Sequence, residues 1–218
     1  MTIRVALIHA LAHSVAPINS LMARDWPEAQ RMNLLDDSLS ADLARSNGGL
    51  NAAMHQRFEA LASYAERTGA QAILFTCSAF GSCIEAVAAR RLHMPVLKPN
   101  EAMMAEALAR VKGGGRIGLV ASFAPTLQSM PAEFPDGTDL RTELADGAMD
   151  ALNAGEGATH DARVVEAARR LQAQGCDVIA LAQFSMARAR SAVEQALGLP
   201  VFTTPESAVR LLRQRLVG

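Results

Sequence analysis

The sequence is short of cysteine and of aromatic residues, has no surplus of either charge, and contains no long apolar run. Three cysteines at unrelated spacings among 218 residues argue against a disulfide framework and for a reducing compartment. No Cys/His spacing makes a zinc site either, so no metal is expected. Aromatics make up 4% of the chain against 50% hydrophobic residues, so the core must be built from Ala, Leu, Val, Ile and Met. The abundant Ala also favours helices. A net charge of −1, from 21 basic and 22 acidic residues, gives no footprint for nucleic acid or an anionic membrane. No apolar run approaches the roughly 20 residues that a membrane helix needs. The start, Met1-Thr-Ile-Arg-Val-Ala-Leu-Ile-His9, enters a strand pattern without a signal-peptide layout, and a cytoplasmic location is expected. The Gly113-Gly114-Gly115 run sits in no GxxxxGK[ST] pattern and reads as a helix stop, not a phosphate loop.

What is present is an alternation of short apolar runs and amphipathic segments. Strands are expected at Arg4–Ile8, Met32–Leu35, Ala72–Thr76, Val96–Leu97, Arg116–Ala121, Leu140–Ala145, Val178–Ala182 and Val201–Thr203. Helices are expected over Asn51–Thr68, Ser82–Leu92, Glu101–Val111, Asp161–Gln174, Ala187–Leu197 and Pro205–Leu216. Continuous apolar strands separated by helices indicate an α/β fold with parallel sheets covered on both faces.

The chain also repeats itself. Gly69-Ala-Gln-Ala-Ile-Leu-Phe-Thr-Cys77 matches Gly175-Cys-Asp-Val-Ile-Ala-Leu-Ala-Gln183, and Arg4-Val-Ala-Leu-Ile-His9 matches Arg116-Ile-Gly-Leu-Val-Ala121. His93-Met-Pro95-Val96 likewise matches Gly198-Leu-Pro200-Val201. Two pseudo-symmetric Rossmann-like lobes are therefore expected: residues 1–98, with the helix at about 205–218 packing back on them, and residues 99–204.

Ligands bind at the carboxyl ends of open parallel sheets, so a cleft between the lobes should collect four strand ends. The first lobe supplies His9, Ser14, Thr76, Cys77 and Ser78; the second supplies Ser122, Thr126, Gln183 and Ser185. Backbone N–H groups and helix dipoles at such turns suit a carboxylate or a developing enolate oxygen. Cys77 is the catalytic candidate, with its thiol expected to be acidified by the following helix. It would serve as acid, base or nucleophile. A Cys is also an ordinary small buried residue, but the place of Cys77 at a strand end before Ser78 and Gly81 favours function. Cys83 falls in the first turn of a helix opened by the capping pattern Ser82-x-x-Glu85 and should pack inward, and Cys176, at the amino end of its strand, reads as core. His9 and His13 are candidates for a second proton site. Asp36 and Asp37 end the second strand; adjacent residues there point to opposite faces, which weakens a paired-carboxylate reading.

Cys77 at the third strand's end, the Arg116–Ser122 stretch and the Val178–Gln183 stretch together resemble the Asp/Glu/hydantoin racemase superfamily over essentially the whole chain. Relatives include maleate isomerase and arylmalonate decarboxylase. The resemblance implies an enzyme that needs no metal or organic cofactor. Two cysteines on opposite faces of a small carboxylate substrate would move its α-proton. Carried over by position, Cys77 matches the first-lobe cysteine, while Gln183 stands where the second belongs. A Gln side chain cannot act as an acid/base near neutral pH. One-base decarboxylase, isomerase or lyase chemistry is therefore expected ahead of two-base racemisation, with His9, Ser14, Thr76, Ser78, Ser122, Thr126, Gln183 and Ser185 binding substrate. The alternatives are an amino-acid or hydantoin racemase with a non-cysteine second base, and a binding protein without turnover. Relatives are often dimers, which leaves room for a homo-oligomer.

Overall fold

Eight short strands form two four-stranded parallel sheets in the computed structural model, which describes residues 2–46 and 49–218. The first sheet contains β1 (Arg4–His9), β2 (Gln30–Leu35), β3 (Ala72–Phe75) and β4 (Val96–Leu97), in the order β2-β1-β3-β4. The second contains β5 (Ile117–Ala121), β6 (Leu140–Leu144), β7 (Val178–Leu181) and β8 (Val201–Thr203), in the order β6-β5-β7-β8. The two topologies are identical, as the internal repeat predicts. Ile8 pairs with Phe75 in one sheet and Val120 with Leu181 in the other.

The inner strands β3, β5 and β7 are buried at every position, which explains their uninterrupted apolar sequence. The edge strands β2 and β6 are partly exposed and correspondingly polar. The polar pair Gln30-Arg31 hides the true start of β2 from a hydrophobic pattern, but these residues pair in register with Arg4 and Val5.

Ten helices, among the described residues, cover the sheets. They are α1 (Val15–Asp25), α2 (Ser38–Arg45), α3 (Ala52–Arg67), α4 (Gly81–Ala89), α5 (Glu101–Arg110), α6 (Ala124–Ser129), α7 (Ala148–Asn153), α8 (Gly157–Ala173), α9 (Arg190–Leu197) and α10 (Thr204–Val217). Of these, α1, α2, α6 and α7 lie outside the helical segments read from the sequence. Pro17 hides the first by sitting in its first turn, where a missing N–H costs little. The helix before each central strand ends the same way. Gly69 and Gly175 adopt φ of 81° and 80°, a left-handed conformation that favours glycine. The guanidinium of Arg4 holds the Thr68 carbonyl at one end, and that of Arg116 holds the Gln174 carbonyl at the other.

The lobes are built on different cores. In the first, Phe58 lies 5.2 Å from Phe75 and 4.9 Å from Phe80, ring centre to ring centre. The corresponding face of the second sheet is aliphatic, with Val120, Val164, Leu171, Ile179 and Leu181 packed over small Ala residues, while Phe134 packs on the opposite face. The C-terminal α10 sends Ala208, Val209 and Leu212 into a cluster with Val5, Leu7, Ile18 and Leu74 of the first sheet's side. No helix among the described residues is long and apolar enough to cross a membrane.

Candidate active site

In each sheet the chain leaves the first strand to one side and returns on the other, which opens a crevice at the strands' carboxyl ends. The two crevices face each other across a cavity of about 230 Å³. Its walls are Leu11, Ser14, Asp37, Ser40, Ala41, Ala44, Thr76 and Cys77 from the first lobe and Phe123, Met149, Asn153 and Gln183 from the second. A second cavity, of about 460 Å³, adjoins it along Ala44, Phe123 and Met149 and reaches Ser122, Asp146 and Asp150.

Cys77 follows β3 and opens a 3-10 turn, Ser78–Phe80, that runs into α4. Phe80 anchors this turn in the aromatic core. Ser40 Oγ lies 4.0 Å from Cys77 Sγ. Burial pushes the Cys77 thiol above its ordinary value, against weaker opposing pulls from the Ala79 backbone N–H and the Ser40 hydroxyl. The acidification expected from a helix N-terminus is thus reversed. The 3-10 turn separates the thiol from α4, and the N-terminus of α4 is already covered by a carboxylate. A Cβ on Gly81 would lie 2.9 Å from Glu133 Oε1, and Glu133 Oε2 is 2.8 Å from Lys98 Nζ. The capping pattern read at Ser82 does not form, because the helix already begins at Gly81. Its Glu85 pairs with Lys98 at 2.7 Å instead. Cys83 is buried in the first core, with its thiol pushed up to about 11 by desolvation, and Cys176 is buried in the second.

Gln183 stands at the equivalent point after β7, opening the 3-10 turn Phe184–Ala189. Its Oε1 accepts the Ser122 backbone N–H at 2.6 Å and the Ser122 hydroxyl at 3.3 Å. Phe184, next in sequence, is buried among Leu7, Leu74 and Leu212 on the first lobe's side. The turn carrying Gln183 is therefore anchored across the cleft.

The other expected site residues fall in three settings. Ser14 is buried and lines the cavity. Thr76 lines it as well, but its hydroxyl meets His9 Nδ1 at 2.8 Å. His9 is buried behind Thr76 and outside the cavity wall, with Nε2 3.0 Å from Asn33 Oδ1. Desolvation lowers its pKa, partly offset by Asn33, so the ring is neutral. A neutral ring that donates from Nε2 to Asn33 accepts at Nδ1 from the Thr76 hydroxyl. Ser78 and Thr126 meet across the lobes, Oγ to Oγ1, at 3.3 Å. Ser185 is buried, and its hydroxyl has no partner among the described residues. His13 spans the lobes, with Nε2 3.0 Å from Asn153 Oδ1. Asp36 is tied to Arg57 at 2.7 Å, whereas Asp37 lines the cavity.

The sequence reading missed the roof. Ser40, Ala41 and Ala44 come from α2, and Met149 and Asn153 from α7. These helices follow corresponding strands, β2 and β6, so the repeat itself was the available signal. No group of three or more His, Cys, Asp or Glu side chains among the described residues is placed to hold a metal.

A family model described as Asp/Glu/Hydantoin racemase matches residues 15–212. Many solved structures share the fold. Glutamate racemase from Thermus thermophilus, in complex with beta-chloro-D-alanine, superposes with a TM-score of 0.75 at 19% identity, covering 99% of this chain and 81% of its own. Allantoin racemase from Klebsiella pneumoniae gives 0.71 at 18% identity, covering 99% and 88%. Unliganded arylmalonate decarboxylase gives 0.60 at 18% identity, covering 100% and 94%. No curated protein matches in sequence.

Proposed function

This chain belongs to the Asp/Glu/hydantoin racemase family, and from that premise we propose that it acts without a cofactor on a small carboxylate or related carbon acid through one thiol, Cys77. The observation that carries this reading is that Cys77 and Gln183 line one cavity from opposite lobes. A substrate held between them meets a proton donor on one face and an amide on the other. Because burial favours the neutral form of Cys77, the resting group is a thiol. A thiol is ready to protonate a carbanion and is poorly prepared to abstract a proton. Decarboxylation suits that state. The bond between the α-carbon and one carboxyl carbon breaks, carbon dioxide departs, and the electron pair stays on an enediolate. The Cys77 proton then goes to the α-carbon, and water returns a proton to the thiolate.

The walls support this order of events. Among the described residues no Lys or Arg lines the cavity, and Leu11, Ala41, Ala44, Phe123 and Met149 make it largely apolar. A carboxylate pressed against such a wall is destabilised relative to neutral carbon dioxide. Any anionic group beyond the malonate carboxylates finds no Lys or Arg on the wall, which favours an apolar substituent on the α-carbon. A racemase with a non-cysteine second base is the second reading. It draws on Asp37, whose carboxylate lines the same cavity as Cys77.

Proton exchange in deuterium oxide, followed by NMR, tests both. The panel comprises amino acids, hydantoins, 2-substituted malonates and maleate, with wild type beside Cys77→Ala. Deuterium entering the product α-carbon of a malonate as a single enantiomer, and only with Cys77 present, is the expected result. Full racemisation of an amino acid or hydantoin would replace it with the second reading. Turnover that survives Cys77→Ala would remove the thiol from the mechanism.

A further inference from the structure

Gln183 is only 8% exposed, and its amide has just one orientation that fits its surroundings. The Ser122 backbone N–H can only donate, so the atom 2.6 Å from it must be the carbonyl oxygen Oε1. The Ser122 hydroxyl donates to the same oxygen. The Nε2 group therefore points the other way, and it meets no acceptor among the described residues while the residue lines the Cys77 cavity. The cavity wall thus contains a buried side chain with donor capacity and nothing to receive it.

Four of the expected hydroxyl donors are already engaged, which leaves Ser14 as the one expected hydroxyl on the cavity wall without a partner among the described residues. The Ser122 N–H and hydroxyl are used by Gln183, Ser78 and Thr126 meet each other, and the Thr76 hydroxyl meets His9. We propose that Gln183 is a catalytic residue that relays the second lobe's backbone donor to the substrate: Ser122 polarises its carbonyl, and its Nε2–H donates to the carboxylate or enolate oxygen opposite Cys77. An amide whose oxygen accepts two hydrogen bonds is a stronger donor at nitrogen. A donor fixed before substrate arrives stabilises charge that develops in the transition state without reorganising. Ser122 is then a positioning residue. The inference rests on the cavity being the active site, and it assigns the second-lobe position a function other than proton transfer. That position reads an acceptor atom and rejects a donor.

Gln183→Glu tests this most simply, since one carboxylate oxygen can keep both Ser122 contacts while the other presents an acceptor with negative charge. Binding of phenylacetate is measured by titration calorimetry for wild type, Cys77→Ala, Gln183→Glu, Ser122→Ala and Ser122→Thr. Cys77→Ala should bind within about threefold of wild type, and Gln183→Glu at least about tenfold more weakly, as befits loss of a hydrogen bond to a charged group. Ser122→Ala should weaken binding by a few-fold and Ser122→Thr should restore it. In wild-type protein labelled with 15N-glutamine, the Gln183 side-chain NH2 signals should shift on saturation with phenylacetate. That readout does not depend on any variant folding. Wild-type affinity in Gln183→Glu, unmoved NH2 signals, or no phenylacetate binding by wild type would each overturn the proposal. If instead Gln183→Glu loses binding while Cys77→Ala keeps turnover, this proposal stands and the single-thiol reading falls.

Discussion

The two lobes share strand order, register and even the arginine that ties the helix before each central strand, yet they differ at the site in almost every atom that matters. The first ends its central strand in a thiol, backed by buried Thr76 and His9 and, at the edge strand, by exposed Asn33. The second ends in an amide locked by Ser122. The cores diverge in parallel. The first lobe holds the aromatic stack of Phe58, Phe75 and Phe80 and also receives Phe123 and Phe184 from the second. The difference teaches that duplication preserved the frame, which depends on apolar strands and glycine-ended helices, while each lobe's strand-end residues were free to specialise. The second lobe leans into the first through those two phenylalanines, which enter opposite faces of the first sheet: Phe123 joins the cluster that holds Cys77, and Phe184 joins Leu7 and Leu74 on the other face.

Adding the missing thiol should break the comparison most severely. Gln183→Cys restores a second acid/base opposite Cys77, and racemisation of the product α-carbon should rise from a negligible to a readily measured rate, followed by chiral chromatography. General acid–base groups of this kind typically contribute about 10²–10⁴-fold. Separating the lobes is the next largest effect. Thr126→Val removes the partner of buried Ser78 and should cost about 1 kcal/mol of stability in urea unfolding, with a lower turnover number and unchanged circular dichroism. The smallest effect sharpens the first lobe's share. His9 has a folded pKa below its ordinary 6.5, so the unfolded chain takes up the proton first as pH falls. Its contribution to stability is complete above pH 6.5 and is lost as pH drops through the lower folded value. His9→Gln should flatten that part of the urea midpoint's decline between pH 7.5 and 5.5.

The frame was legible because it is written in period and repeat. Central strands are apolar at every position, and Gly69 and Gly175 mark the same turn twice. The start of the edge strand β2 is not legible, because Gln30 and Arg31 are polar and backbone pairing, not apolar burial, defines it. Cys77 and Gln183 were legible as a pair from the alignment of the two halves. The thiol's electrostatics were not. They depend on the desolvation of the turn and on the Ser40 hydroxyl brought in from α2, both tertiary facts with no local sequence signal. The roof of α2 and α7 was missed for a related reason: short helices carry too few turns to show a period.

The central claim is that protons enter from the first lobe and hydrogen bonds from the second. It is tested most directly by the stereochemistry of 2-methyl-2-phenylmalonate decarboxylation in deuterium oxide, comparing wild type with the double variant Cys77→Ala/Gln183→Cys. The account predicts that wild type gives one enantiomer of the deuterated monoacid and that the double variant, with its thiol on the opposite face, gives the mirror image at a lower rate. The same enantiomer from both proteins would place the proton donor somewhere other than Cys77 and contradict the account.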